Sequence, residues 1–217
     1  MDDVLQAIYD SILEGRVTEV AAEVQRALAA GHPAGVILNQ AMIAAMAEVG
    51  RRFETMEYFV PEMLVAARAM KEGLALLRPA LVGAQIEPVG KVVLGTVSGD
   101  LHDIGKNLVG MVLEGAGFEV VDLGVNVPPE AFVAAVREHR PQVVGLSALL
   151  TTTMLAMKAT IEALRAAGLR DQVVVMVGGA PVTPAFADRI GADLYAPEAA
   201  SAAARARSRF ADQGGAE

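Results

Sequence analysis

Lys91-Val92-Val93-Leu94-Gly95-Thr96-Val97 and, after Ser98, Gly99-Asp100-Leu101-His102-Asp103-Ile104-Gly105-Lys106-Asn107 together decide how the second half of this chain folds. The first run is short, apolar and rich in β-branched residues, the composition of a buried strand. The second is a polar loop holding one of only three histidines in 217 residues. Beyond it, apolar residues at 108, 109, 111, 112 and 113 fit a helix whose inner face packs back on that strand. In an open parallel α/β sheet, such a strand-to-helix turn lies where ligands bind.

The same alternation continues outward from this unit. Strands are expected at 91–97, 118–123, 142–147, 172–177 and near 193–195, and helices at 105–116, 129–139, 153–167, 183–190 and from 198 to about 210. Strict β/α alternation means a parallel sheet covered by helices on both faces. At this size the flavodoxin-like (Rossmann-like), doubly wound five-stranded order 2-1-3-4-5 is the expected topology. The domain spans 91–211, and residues 212–217 read as a frayed tail.

Upstream, residues 1–82 contain no β-rich run, and Pro and Gly fall at breaks between four helical segments: Asp2 to Leu13, Thr18 to Ala30, Pro33 to about Phe53, and Pro61 to about Leu81. Thr18 is read as an N-cap, Gly31 as the residue beyond a helix end, and Pro33 and Pro61 as first-turn residues. Short connections imply a four-helix bundle. Met42, Met46, Met63 and Met70 recur at helical spacing, which reads as adaptable core packing. The Gly- and Pro-containing stretch 83–90 is the expected linker.

Composition narrows the function. A 53% hydrophobic fraction is ample for a core. No run approaches about 18 apolar residues and the N-terminus lacks signal-peptide character, so a cytoplasmic protein is expected. The absence of cysteine removes disulfides, thiolate metal sites and cysteine nucleophiles. A net charge of -8 without a basic cluster argues against nucleic acid or an anionic membrane surface as partner.

In the 2-1-3-4-5 order the loops after the first and third strands face one crevice. The third strand leads into Ser147-Ala148-Leu149-Leu150-Thr151-Thr152-Thr153, four hydroxyls in seven residues. After the fourth comes Gly178-Gly179-Ala180-Pro181, where missing Cβ atoms permit close approach of a ligand. Asp100 and His102, two residues apart, can pair carboxylate with imidazole N–H, which fixes the tautomer and leaves the other ring nitrogen as a metal ligand or general base. No second His or Cys lies nearby, so a cofactor that brings its own metal and needs one axial nitrogen fits better than a protein-only site. Asp103 and Lys106 read as helix-start charge and solvated polar residue, and Gly105 alone is a weak signal. His32 and His139 have no partner constellation. Thr152 or Thr153 is expected to cap the following helix. No phosphate-loop lysine motif or G-x-G-x-x-G fingerprint occurs.

Asp100-Leu101-His102-Asp103-Ile104-Gly105 resembles the D-x-H-x-x-G cobalamin-binding signature, with Ser147-Ala148-Leu149 as its S-x-L and Gly178-Gly179 as its Gly-Gly. Gly50-Arg51-Arg52-Phe53 and Glu57-Tyr58-Phe59-Val60-Pro61-Glu62 resemble the helical cap preceding this domain in methionine synthase and in small corrinoid proteins. The runs 147–154 and 177–183 look most similar to corrinoid proteins of methylamine- and methanol-type methyltransferase systems.

The resemblance implies cobalamin, as methylcobalamin, bound base-off and His-on, with His102 as the lower cobalt ligand. It implies that Asp100 and Thr153 complete a ligand relay, and that Gly99, Leu101, Asp103, Ile104, Gly105 and Leu149 belong to the binding motifs. Ser147 and Thr151 would contact the displaced nucleotide tail, Gly178 and Gly179 would line its slot, and Ala199 falls at another nucleotide contact. Phe53 and Val60 would cover the methyl-bearing face; at 60 methionine synthase carries a larger aliphatic residue, which leaves the degree of shielding open. The expected function is a methyl-carrying corrinoid subunit working with a substrate-specific methyltransferase and an acceptor methyltransferase that uses a thiol or pterin, with a reductive activator as a further candidate partner. Two rivals are an adenosylcobalamin-binding sensor and a cobalamin-free flavodoxin-like module.

Overall fold

The computed structural model describes residues 2–84 and 86–211. It divides into two compact units, residues 1–88 with 114–117, and residues 89–113 with the chain from 118 onward. The expected tail 212–217 and Gln85 of the expected linker lie outside the described residues.

The first unit is helical: α1 (Asp3–Leu13), α2 (Val17–Ala29), α3 (Ala34–Val36), a π-helical stretch (Ile37–Ile43), α4 (Ala44–Glu54) and α5 (Val60–Gly83). From 34 to 54 the backbone is one continuous helix, so the four expected segments are present. Asp2 caps α1 by accepting the N–H groups of Val4 and Leu5 at 3.1 and 3.0 Å. Leu5, Ile8 and Ile12 then fall on one buried face. At the end of α2, Gly31 is left-handed (φ 85°), and the N–H groups of Gly31 and His32 return to Leu28 and Ala27 carbonyls, which closes the helix.

Several local expectations are corrected. Thr18 is not an N-cap, because α2 already begins at Val17. Pro33 precedes α3 in extended conformation instead of occupying its first turn. Gly73 and Pro79 lie inside α5 and do not mark breaks. At 73 a Cβ would come within 2.9 Å of Met42 Cε and 3.3 Å of Val20 Cγ2, so glycine is the residue that lets α5 pack this closely. Met42, Met46, Met63 and Met70 are all buried in this unit's core.

The second unit contains β1 (Lys91–Thr96), α6 (Ile104–Gly115), β2 (Glu119–Asp122), α7 (Pro129–His139), β3 (Val143–Ser147), α8 (Met154–Ala166), β4 (Val174–Gly178), α9 (Pro184–Ile190), β5 (Leu194–Ala196) and α10 (Ala199–Ala211). The sheet is wholly parallel in the order β2-β1-β3-β4-β5, as expected from the alternation. Residue 172, expected to open the fourth strand, belongs instead to a 3₁₀ turn, Arg170–Gln172. Among the described residues no helix is long and apolar enough to cross a membrane.

Alternation along β1 sorts its neighbours. Val93 and Val97 join Phe132, Val136, Met157 and Ile161 in one buried cluster with β3 and β4. Gly95 shares that face, and a Cβ there would lie 2.8 Å from Phe132 Cζ. Leu94, on the opposite face, approaches Gly110 of α6. Phe132 is fully buried. Phe132→Ala is therefore expected to lower the stability of the α/β unit by about 3–5 kcal/mol, seen as an earlier urea transition; a shift below about 1 kcal/mol would show that α7 does not anchor this layer.

Candidate functional site

Register brings three loops to one level. Thr96 pairs with Ser147, and Ser147 with Gly178, so the chains leaving β1, β3 and β4 emerge side by side. These are the three loops that carry the Asp-x-His, hydroxyl-rich and Gly-Gly motifs.

The centre of the arrangement is Asp100, whose side chain is completely buried. Oδ1 accepts the His102 backbone N–H at 3.0 Å and lies 2.7 Å from His102 Nδ1. Oδ2 accepts the N–H groups of Leu149 and Leu150 at 2.8 and 3.3 Å and the Thr153 hydroxyl at 2.6 Å. Burial by itself raises this carboxyl's pKa, but the bonds from Thr153, the Leu149 and His102 N–H groups and the His102 ring outweigh it. They hold the group well below the usual carboxylate range.

An ionised carboxylate can only accept, so Nδ1 must carry the proton. Neutral His102 then has its lone pair on Nε2, which has no hydrogen-bond partner among the described residues. The ring is about half exposed (51%), in contrast to the fully buried carboxylate behind it. Thr96, itself buried, steadies the loop by donating its hydroxyl to the His102 carbonyl at 2.9 Å.

The surroundings fit a large, flat, apolar group that needs one axial nitrogen. Leu101 and Ile104, on either side of His102 and Asp103, are 71% and 84% exposed. At Gly105 a Cβ would meet nothing within 4 Å, so protein packing does not explain the missing side chain. Leu149 is exposed on the facing loop. Among the described residues there is no cluster of three or more His, Asp or Glu side chains able to hold a metal ion. The nitrogen this loop offers is Nε2 of His102.

Other expected residues fall as follows. Gly99, left-handed at φ 82°, makes the turn before Asp100. Asp103 precedes α6, and its carboxylate accepts the Asn107 side chain at 3.1 Å, in keeping with a helix-start role. Ser147 is half-buried and Thr151 exposed at the same loop, while Ala199, at the start of α10, is buried. Gly178 and Gly179 have a reason within the protein: a Cβ would lie 2.7 Å from the Ala196 carbonyl oxygen at 178 and 1.9 Å from that of Ala148 at 179. In the helical unit, Phe53 is half-buried near the end of α4 and Val60, 42% exposed, opens α5. Just before Phe53, hydrogen bonds from Arg51 and Arg52 hold the Glu48 carboxyl down at about 2. Arg52 also reaches Tyr58 Oη, whose hydroxyl donates to the Leu13 carbonyl.

Two readings are corrected. Thr153 occupies the N-cap position of α8 but makes no capping bond; its hydroxyl is turned to Asp100. Lys106 is not solvated: its side chain is 1% exposed and Nζ bonds Asn107 Oδ1 and Asp122 Oδ2. Sequence reading also passed over Asn126, which touches the His102 loop from the β2 side. Its signal was a turn-forming Asn in Gly124-Val125-Asn126-Val127-Pro128.

Thr153→Val should remove a charge-assisted bond and lower stability at neutral pH by about 1.5–3 kcal/mol. Because the folded carboxyl is depressed, its stabilising contribution is full above the unfolded value, near 3.9, and fades as pH falls through the folded value. The valine variant has a less depressed carboxyl, so urea titrations should show the gap to wild type shrinking below about pH 4. A gap that stays constant from pH 7 to pH 3 would mean that Thr153 does not act on Asp100.

Comparison with known proteins identifies the chain's family. A B12 binding domain model matches residues 90–206 and a second B12 binding domain model matches residues 4–78. The chain is 44% identical to the dimethylamine corrinoid protein of Methanosarcina barkeri over 97% of this chain and 99% of that one. It is 46% identical to trimethylamine corrinoid protein 1 of Methanosarcina acetivorans, over 88% of this chain and 89% of the other. Its structure resembles a chain of the methanol:cobalamin methyltransferase complex of Methanosarcina barkeri, with a TM-score of 0.87 and 33% identity, covering 97% of this chain and 80% of that one. The chain belongs to the B12-binding corrinoid proteins, the family of the dimethylamine and trimethylamine corrinoid proteins.

Proposed function

We propose that this chain is the methyl-carrying corrinoid subunit of a methyltransferase system. The observation that carries the reading is the geometry at His102: Nδ1 lies 2.7 Å from the buried Asp100 carboxylate, a pairing that leaves Nε2 of the half-exposed ring as the lone-pair donor. Bound cobalamin supplies a cobalt that takes a methyl group from one partner and yields it to another.

The chain's own residues bind, orient and shield. His102 Nε2 would hold the cobalt, in the base-off, His-on mode. Asp100 fixes the tautomer and ring direction, and Thr153 and the Leu149 N–H keep Asp100 ionised. When the ring is not ligating, Nε2 is the atom that takes up a proton, with the Asp100 carboxylate as the facing counter-charge. Gly99, Leu101, Asp103, Ile104 and Gly105 shape the loop under the ring, Leu149 borders it, and Ser147, Thr151, Gly178, Gly179 and Ala199 serve the nucleotide tail. Phe53 and Val60, in the helical unit, would be the candidates for an apolar cover that keeps water from the reacting group. A substrate-specific methyltransferase loads the carrier and an acceptor methyltransferase unloads it. Relatives matching 88–97% of the chain are named as corrinoid proteins, which favours a carrier over an adenosylcobalamin sensor.

The test is the electron paramagnetic resonance spectrum of the protein loaded with cobalamin and reduced to Co(II), with and without nitrogen-15 histidine. The expected superhyperfine pattern changes from a triplet to a doublet on labelling and vanishes in His102→Ala. Coupling that ignores the label, or persists in His102→Ala, overturns the axial-ligand assignment.

A further inference from the structure

The Asp100–His102 pair is braced on its β3 side through the Asp100 carboxylate, yet nothing in that set of bonds restrains the backbone of the turn that delivers it. Within the turn the Asp100 N–H donates to the Val97 carbonyl at 3.1 Å, and the Thr96 hydroxyl holds the His102 carbonyl; a further restraint, on the Gly99 and Asp100 main chain, comes from the opposite flank. Asn126, in the β2–α7 connection, accepts the Gly99 N–H on its Oδ1 at 2.8 Å and donates its own N–H to the Asp100 carbonyl at 2.9 Å. One residue thus grips both sides of the Gly99–Asp100 peptide. We infer that Asn126 is a positioning residue for His102, setting the main-chain position from which Asp100 addresses the imidazole. This inference rests on the proposed ligand role of His102.

The connection that carries Asn126 is itself anchored. Val127 forms a parallel bridge with Val97, and its N–H donates to the Thr96 carbonyl at 2.9 Å. The Thr96 N–H donates to the Gly124 carbonyl at 3.0 Å. At the end of β2, Asp122 accepts the Gly124 N–H at 2.8 Å and receives the buried Lys106 Nζ from the first turns of α6. A closed path therefore runs from the His102 loop through α6 and the end of β2 back to the turn at 99–100. Lys106, expected in solvent, sits inside it.

The position also selects the residue. Asn126 has φ 53°, a left-handed conformation that Gly, Asn and Asp tolerate and most side chains resist. Glycine fits the backbone but has no acceptor for the Gly99 N–H. Alanine lacks the acceptor and is strained. Asn and Asp alone meet both requirements.

These alternatives define the experiment. Asn126→Gly keeps the backbone and its N–H bond and removes only Oδ1; Asn126→Asp keeps both. Amide hydrogen exchange and the nitrogen-15 shifts of the His102 ring are measured on the folded protein without cobalamin, and the nitrogen coupling on the Co(II)-loaded protein. In Asn126→Gly the His102 and Gly99 amides should exchange about three- to tenfold faster, the scale of one modest hydrogen bond. The ring should lose its uniform Nδ1–H tautomer and the coupled fraction should fall, with Asn126→Asp restoring all three. Faster exchange at Gly99 alone, with His102 amide, tautomer and coupling at wild-type values, would make Asn126 a loop residue only and overturn the inference. If wild type itself shows no histidine coupling, the ligand reading fails, while exchange and tautomer in the cobalamin-free protein still decide the role of Asn126.

Discussion

A buried carboxylate that every polar neighbour addresses as a donor is the constraint on which the rest of this site depends. Asp100 receives two bonds from His102 on one oxygen and three from the β3–α8 loop on the other. A fully buried charge is costly unless all of its lone-pair sites are met. Here the compensation comes from two loops at once, so the charge is tolerable only while those loops stand together. They do so because β1 and β3 are neighbours in register, Thr96 beside Ser147, a consequence of the strand order. Fold and ligand chemistry are linked at that point: the topology supplies the donors, the donors keep the carboxylate ionised, and the ionised carboxylate decides which imidazole nitrogen is free.

Much of this was legible in the sequence because it rests on period and spacing. Strict strand–helix alternation gave the parallel sheet and its order, and the order placed the loops after 97, 147 and 178 together. Asp100 and His102 stand two positions apart, with the single intervening residue that an Asp-x-His pairing needs. Side-chain choices among competing hydrogen bonds were not legible. Thr153 stands at a helix N-terminus, where the local rule has its oxygen accept a backbone N–H; instead its hydroxyl has two acceptors in reach, the Leu150 carbonyl and, 53 residues away in sequence, the ionised Asp100, the stronger of the two. Lys106 reads as solvated from its immediate neighbours, and only the end of β2 reveals Asp122. Gly73 and Pro79 look like helix breakers until the packing of Met42 and Val20 and the length of α5 are known.

Asn126 was missed for a different reason. Ligand sites in doubly wound sheets are sought at the switch point, which directs attention to β1, β3 and β4. A central strand has two neighbours, and β2 flanks β1 on the side away from that crevice. Its loop touches no expected ligand surface, yet it holds the turn from which His102 projects. The two flanks divide the work: the β3 loop binds the Asp100 side chain, and the β2 loop binds its backbone.

The glycines show a similar division. At 178 and 179 the space a Cβ would need is taken by the protein's own carbonyls, so those residues are fixed by the approach of neighbouring strands and loops. At 105 that space is open. His102 belongs with the open side, with a half-exposed ring hinged on a buried partner. If the ring swings away, Asp100 Oδ1 keeps the His102 backbone N–H and Oδ2 keeps all three of its donors. The buried charge is not stranded by loss of the imidazole. The proposed role of His102, a ligand that would come and go, needs this property, and here it follows from giving the carboxylate more donors than the histidine alone provides.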